Sequence, residues 1–172
     1  MNQEFLRKLG YGMYVVASKK GELINGQIAN AVIQVTAQPA TIAISINRGN
    51  LTHDYISSSK IFSVSTLEKE TPLRFIGQFG FKSGRDGDKF AGIKYKAGAG
   101  CPVVLEHAVS YLEAKVVSSL DVGTHTIFIG EVQAGEILLD GVETMTYAYY
   151  HDVKRGTSPA SAPTYLQQED KR

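Results

Sequence analysis

The chain has 172 residues, 43% hydrophobic and 20% charged, enough for one globular domain with a closed core and too few for two domains of ordinary size. Lys and Arg number 18 against 17 Asp and Glu, and the resulting formal charge of +1 gives no field favouring nucleic acid or an anionic membrane. No apolar run reaches the roughly 18 residues of a bilayer span, and the charged segment Met1–Lys8 has no apolar signal region behind it, so the expectation is a soluble, unexported, cytoplasmic protein.

In chain order, Gln3 to Leu9 places Phe5, Leu6 and Leu9 on one helical face, and Tyr11 to Ala17 reads as a strand. Lys19-Lys20-Gly21-Glu22 is a polar turn. Two β-rich segments, Ala31 to Thr36 and Thr41 to Ile46, flank Gln38-Pro39; in the second, Ile42, Ile44 and Ile46 alternate with Thr41, Ala43 and Ser45, giving one apolar face and one of small residues. Thr52 to Ser58 reads as a short helix with Thr52 as N-cap, Ile61 to Leu67 as a strand, and Thr71-Pro72 as the opening of a helix carrying Leu73, Phe75 and Ile76. Gly80 to Gly87 is polar and glycine-rich. Cys101, the only cysteine, lies before Pro102 with no intramolecular partner, and a buried apolar role is preferred to a redox thiol. Ala108 to Ser118 and Thr124 to Leu139 form two long strands joined at Asp121-Val122-Gly123. From His151 the composition turns to Lys, Arg, Gly, Ser, Pro and Ala, a tail that buries little. The whole is mainly antiparallel β with short helices, and no internal repeat is visible.

Three segments carry side chains suited to ligand chemistry. Asn25-Gly26-Gln27-Ile28-Ala29-Asn30-Ala31 offers amides that both donate and accept, as a flavin or uracil-like edge requires, although a polar turn before an ordinary strand has the same composition. Asn47-Arg48-Gly49-Asn50-Leu51-Thr52 brings a guanidinium, amides and a hydroxyl to a helix start, a combination that suits phosphate and is also that of a simple capped helix. His125, just past the Asp121-Val122-Gly123 turn, can position a substrate or stand as a surface strand residue. No Walker loop, Gly-x-Gly-x-x-Gly fingerprint, His-x-x-x-His pair or EF-hand loop is present, so a protein-built metal site is not expected.

Taken in order, the stretches Tyr11 to Val16, Gly26 to Asn30, Asn50-Leu51-Thr52-His53, Phe75 to Phe81, Val122 to Glu131 and the tail motif Ser158 to Tyr165 resemble the flavin reductase-like FMN-binding split-barrel family, most closely its archaeal ferric reductase and flavoredoxin branch. The resemblance implies a six-stranded Greek-key split barrel over residues 1–153, a homodimer with FMN in a groove between subunits, and a tail, residues 154–172, packing on the partner. It implies that Gln27, Ile28, Ala29 and Asn30 border the flavin ring and ribityl chain, that Ser45 and Asn47 continue that wall, and that Arg48, Asn50 and Thr52 hold the phosphate. Phe81 and Lys82 would lie near the cofactor edge, and His125 beside the nicotinamide.

The implied activity is transfer of reducing equivalents from NADH or NADPH through FMN to free flavin, a ferric complex or a small redox protein. A flavoredoxin-type electron carrier without NAD(P)H turnover, and a non-enzymatic flavin- or haem-binding module, are the competing readings. Some ferric reductase relatives carry cysteine where this chain has Ser45, so a role for that thiol does not transfer. Some relatives also continue into a rubredoxin domain; no Cys pairs follow Tyr165 here, and any iron partner is expected to be a separate molecule.

Overall fold

The computed structural model describes residues 4–165. After a 3-10 turn at Glu4–Lys8 come β1 (Tyr14–Lys20), β2 (Leu23–Ala29), β3 (Val32–Ala37), β4 (Ala40–Asn47), α1 (Leu51–Ser59), β5 (Ile61–Leu67) and α2 (Leu73–Gly80). A short hairpin, β6 (Tyr95–Ala97) with β7 (Pro102–Val104), precedes the long strands β8 (Ala108–Asp121) and β9 (His125–Ile137) and the terminal α3 (Tyr147–Asp152).

Seven strands form one antiparallel sheet in the order β2-β1-β5-β8-β9-β4-β3. Laid flat, its outer strands would stand about 29 Å apart at about 4.8 Å per strand. Only Asn30 and Ala31 separate β2 from β3, however, a link that reaches roughly 10 Å at full extension. The sheet therefore rolls into a barrel whose two edges face each other across a split. Ala29 and Asn30 sit at that split, which is where the amide-bearing residues gather.

Two cores follow from the rolling. In β1, Val15 and Ala17 pack with Met13, Phe75, Ile76, Phe79 and Tyr150 outside the barrel, whereas Val16 faces inward onto Ile44, Ile46, Ile56, Phe62 and Phe128. A strand buried on both faces needs consecutive apolar residues, and Val15-Val16-Ala17 supplies them. Ile42, Ile44 and Ile46 are buried as their alternation requires, with Ala43 and Ser45 half-buried. Gly130 in β9 lets the Phe62 ring lie against the strand: a Cβ there would stand 2.6 Å from Phe62 Cζ.

Several sequence expectations change. The barrel sheet has seven strands rather than six, with the β6–β7 hairpin in addition. The segment around Asn25 is itself strand β2, paired along its length with β1, because the turn ends at Glu22. The first helix is a 3-10 turn on which Phe5 and Leu6 remain exposed; Gln3 lies outside the described residues. Asn50, not Thr52, is the N-cap of α1, and Thr52 is buried inside the helix. The strand expected from Tyr11 begins at Tyr14, after Gly12 bridges to Thr146. Among the described residues no helix is long and apolar enough to cross a membrane.

Candidate functional site

A cavity of about 250 Å3 opens at the split, between the end of β2, the end of β4, the start of α1, the C-terminal end of α2 with the loop that follows, and the 157–163 segment. Of the residues expected at a ligand site, Gln27, Ile28, Ala29, Asn30, Ser45, Asn47, Asn50, Thr52, Phe81 and Lys82 all line it. The rolled sheet is what unites them, since they come from four separate segments of the chain.

At one end lies the N-terminus of α1. Asn50 occupies the N-cap without making a side-chain cap bond; its Nδ2 instead donates to Gln27 Oε1 at 3.1 Å. The first helical N–H groups are therefore not closed by their own cap. Thr52 Oγ1 accepts from Asn25 Nδ2 at 2.8 Å, which leaves its hydroxyl proton to donate. Arg85 reaches over from the glycine-rich loop, donating to Gly49 O at 3.1 Å and pairing with Asp54 Oδ2 at 2.9 Å. Gly84 beside it presses so closely on Asn25 that a Cβ would overlap the amide. Uncapped amides, two polar side chains and a guanidinium are groups whose chemistry suits an anion.

Arg48, expected to hold phosphate, is not on the cavity wall. Its Nη1 pairs with Asp121 Oδ2 at 2.7 Å and reaches Gly123 O at 3.3 Å, on the outer side of the β8–β9 turn. Its neighbour Asn47 takes the inward direction, folding its Oδ1 back onto Gly49 N at 2.9 Å.

The opposite end is apolar and aromatic, with Met13, Ile76, Phe79, Tyr147 and Tyr150. Lys89 lies against it, only 6% exposed, with Nζ donating to Gly26 O at 2.7 Å and Phe79 O at 3.0 Å. Burial pushes its pKa down to about 8. The ammonium ties an outward carbonyl of edge strand β2 to the last turn of α2, where a cation also meets the helix dipole.

His125 faces a second, adjoining cavity of about 370 Å3, with Ser45 and Asn47 common to both. It is buried; Nε2 donates to Ser161 O at 3.2 Å and Nδ1 lies 2.8 Å from Thr124 Oγ1. A carbonyl only accepts, so Nε2 carries a proton. Cys101 is buried as expected, and burial, with the nearby Glu113 carboxylate, pushes its thiol up to about 12. It is no thiolate nucleophile.

Sequence reasoning missed Arg85, Lys89, Tyr147, Tyr150 and the tail as cavity walls. The glycine-rich Ser83-Gly84-Arg85 was a usable signal for an anion loop. Nothing in the spacing of Lys89 marks it as buried.

A model of the flavin reductase like domain matches residues 6–158. The chain belongs to this family. This flavin reductase-like protein is 54% identical over 166 residues to a high molecular weight rubredoxin of Moorella thermoacetica, covering 96% of this chain and 72% of the relative. It is 46% identical to a ferric-chelate reductase (NAD(P)H) of Archaeoglobus fulgidus, covering 97% of this chain and 99% of the relative. Among solved structures, flavin reductase HpaC complexed with NADP+ superposes with a TM-score of 0.73 at 26% identity, over 84% of this chain and 90% of that one. The mainly β split-barrel fold is thus that of its family.

Proposed function

We propose that the protein binds FMN non-covalently in the cavity at the split and passes reducing equivalents from NADH or NADPH through it to free flavin, a ferric complex or a small redox protein. The uncapped N-terminus of α1, opening into a cavity walled by amides, carries this reading. A phosphate fits the N–H groups of α1, the Asn50 amide, the Thr52 hydroxyl and Arg85. The mixed donors and acceptors of Gln27, Asn30 and Asn47 fit a flavin's polar edge, and the Met13, Ile76 and Phe79 surface fits its apolar one.

When bound, FMN supplies hydride acceptance and electron release, which no side chain here offers. The chain's own residues bind and orient. Gln27 and Asn50 hold each other across the cavity, so a ligand meets amides already fixed in direction. His125, whose Nε2–H is held by the Ser161 carbonyl until that contact opens, is assigned to the nicotinamide. The relatives named for ferric-chelate reduction and for rubredoxin support the range of acceptors, and the NADP+-complexed neighbour supports the nucleotide.

A homodimer in the cytoplasm completes the reading. Val117, Leu120 and Val122 stand exposed along the end of β8 and its turn, close in sequence to His125, and a second copy covering them would shelter the site. Light scattering at saturating FMN should give a dimer; a monomer with FMN fully bound would contradict it.

Equilibrium titration tests the cofactor assignment. FMN should bind about ten- to a hundredfold more tightly than riboflavin, the range of charge-assisted phosphate contacts. Equal affinities would contradict a phosphate end at α1.

A further inference from the structure

We propose that the segment from Thr157 to Tyr165 is a strap that holds the nicotinamide's place in the resting protein and must move aside before a dinucleotide can reach the flavin. The inference rests on the FMN and nicotinamide reading above and adds its regulation.

The strap stands between the two halves of the site. Gln27, Asn30 and Asn50 face the cavity on one side of it, and His125 faces the adjoining cavity on the other. Ala162 and Pro163 line both, as Ser45 and Asn47 do. The strap is thus the partition, and a group placed at His125 cannot also lie on the FMN wall until the partition shifts.

Its central contact has the chemistry of the ligand it would displace. The Ser161 carbonyl accepts from His125 Nε2 at 3.2 Å and from Asn47 Nδ2 at 3.2 Å. A nicotinamide carboxamide presents the same acceptor, a planar amide oxygen, to the same two donors. While Ser161 holds them, the His125 N–H and the Asn47 N–H directed at that point are occupied.

The strap is also fastened lightly. Thr164 Oγ1 accepts from Asn30 Nδ2 at 2.7 Å and donates to Tyr147 Oη at 2.9 Å; Ser158 Oγ bonds Tyr147 Oη and lies 3.2 Å from His151 Nε2. Tyr150 Oη donates to Thr157 O at 2.8 Å. No residue from Thr157 to Tyr165 is buried, and no ion pair among the described residues holds the segment. The hydrogen bonds are part-buried but neutral, each of small net strength, with no buried side chain of the strap behind them, so opening lies within reach of substrate binding. A site competent only when open binds its ligand more weakly by the fraction of time it is open.

The chain has no tryptophan, so Tyr165→Trp installs a single reporter on the strap. In FMN-saturated full-length protein, NADP+ or NAD+ should change its emission saturably, at the same concentration at which calorimetry detects binding. The double variant Ser158→Ala/Thr164→Val, which removes the side-chain fastenings, should bind the oxidised dinucleotide about two- to tenfold more tightly. Thr164→Ser, which keeps a hydroxyl, should retain the wild-type affinity. Dinucleotide binding with unmoved emission, or unchanged or weaker affinity in the double variant, would overturn the strap and leave the proposed function standing. Failure of the FMN-loaded protein to bind either dinucleotide would remove the nicotinamide part of that function and the strap with it.

Discussion

Asn50 Nδ2 donates to Gln27 Oε1 at 3.1 Å, joining the N-cap of α1 to edge strand β2 across the mouth of the cavity. An N-cap that turns its side chain sideways leaves the helix N–H groups for another acceptor. Asn50→Asp tests this relationship. Asp caps helices as well as Asn does, so helix stability should hold, but its charge opposes a phosphate at the same N–H groups. FMN affinity should fall about tenfold, or about 1.4 kcal/mol, with riboflavin affinity little changed. Equal losses for both ligands would move the phosphate elsewhere.

Arg85 and Arg48 separate the structure from the motif. Arg85 lines the cavity, whereas Arg48 is engaged with Asp121 outside it. Arg85→Ala should weaken FMN by about 1 kcal/mol, a figure reduced from that of a buried charged contact because the side chain is half exposed. Arg48→Ala should cost FMN less. The opposite order in an isothermal titration would restore Arg48 as the phosphate residue.

His125→Ala should retain FMN with an unaltered spectrum and slow anaerobic reduction by NAD(P)H about tenfold, equivalent to about 1.4 kcal/mol of barrier. Stopped-flow traces at several nucleotide concentrations separate a lower limiting rate from weaker binding. Wild-type rates with unchanged nucleotide affinity would remove His125 from the site, and loss of FMN would assign it to the cofactor.

Lys89 gives a pH dependence of known sign. Its pKa is about 8 in the folded protein against 10.5 ordinarily, so between those values the unfolded chain binds the proton that the folded chain has released. Stability from this group rises with pH across the window from about 8 to 10.5 and is flat below it. The gain is on the order of 3 kcal/mol. Lys89→Met cannot show it, and denaturant unfolding of both proteins from pH 7.5 to 10.5, a range set by the same linkage, should give difference curves that diverge with pH. Parallel curves would mean that Lys89 keeps its proton through the window.

Much of this was legible in local pattern. The Ile42, Ile44, Ile46 alternation gave β4 its buried face, and Ile61 to Leu67 is a strand with the expected ends. The amides at Gln27, Asn30 and Asn47 line one cavity. β2 escaped because Asn25 and Gly26 read as turn residues; pairing with β1 outweighs their local preference. Arg48 misled because sequence adjacency to Asn47 and Asn50 says nothing about which way a side chain leaves the turn, and Asp121, distant in sequence, draws it outward. The tail is expected to bury little surface and to pack on a partner; within the one chain its 157–165 part docks through backbone carbonyls and hydroxyls rather than buried apolar surface.

In the proposed reaction nucleotide electrons pass through FMN held at the split. Adding NADH, and separately NADPH, to the FMN-loaded protein without oxygen while following the visible flavin absorption tests this transfer. Bleaching by at least one nucleotide, with colour restored on adding a ferric chelate or free flavin, is the predicted result. A flavin that stays bound and oxidised with excess of both nucleotides would contradict the account and leave the protein an FMN carrier.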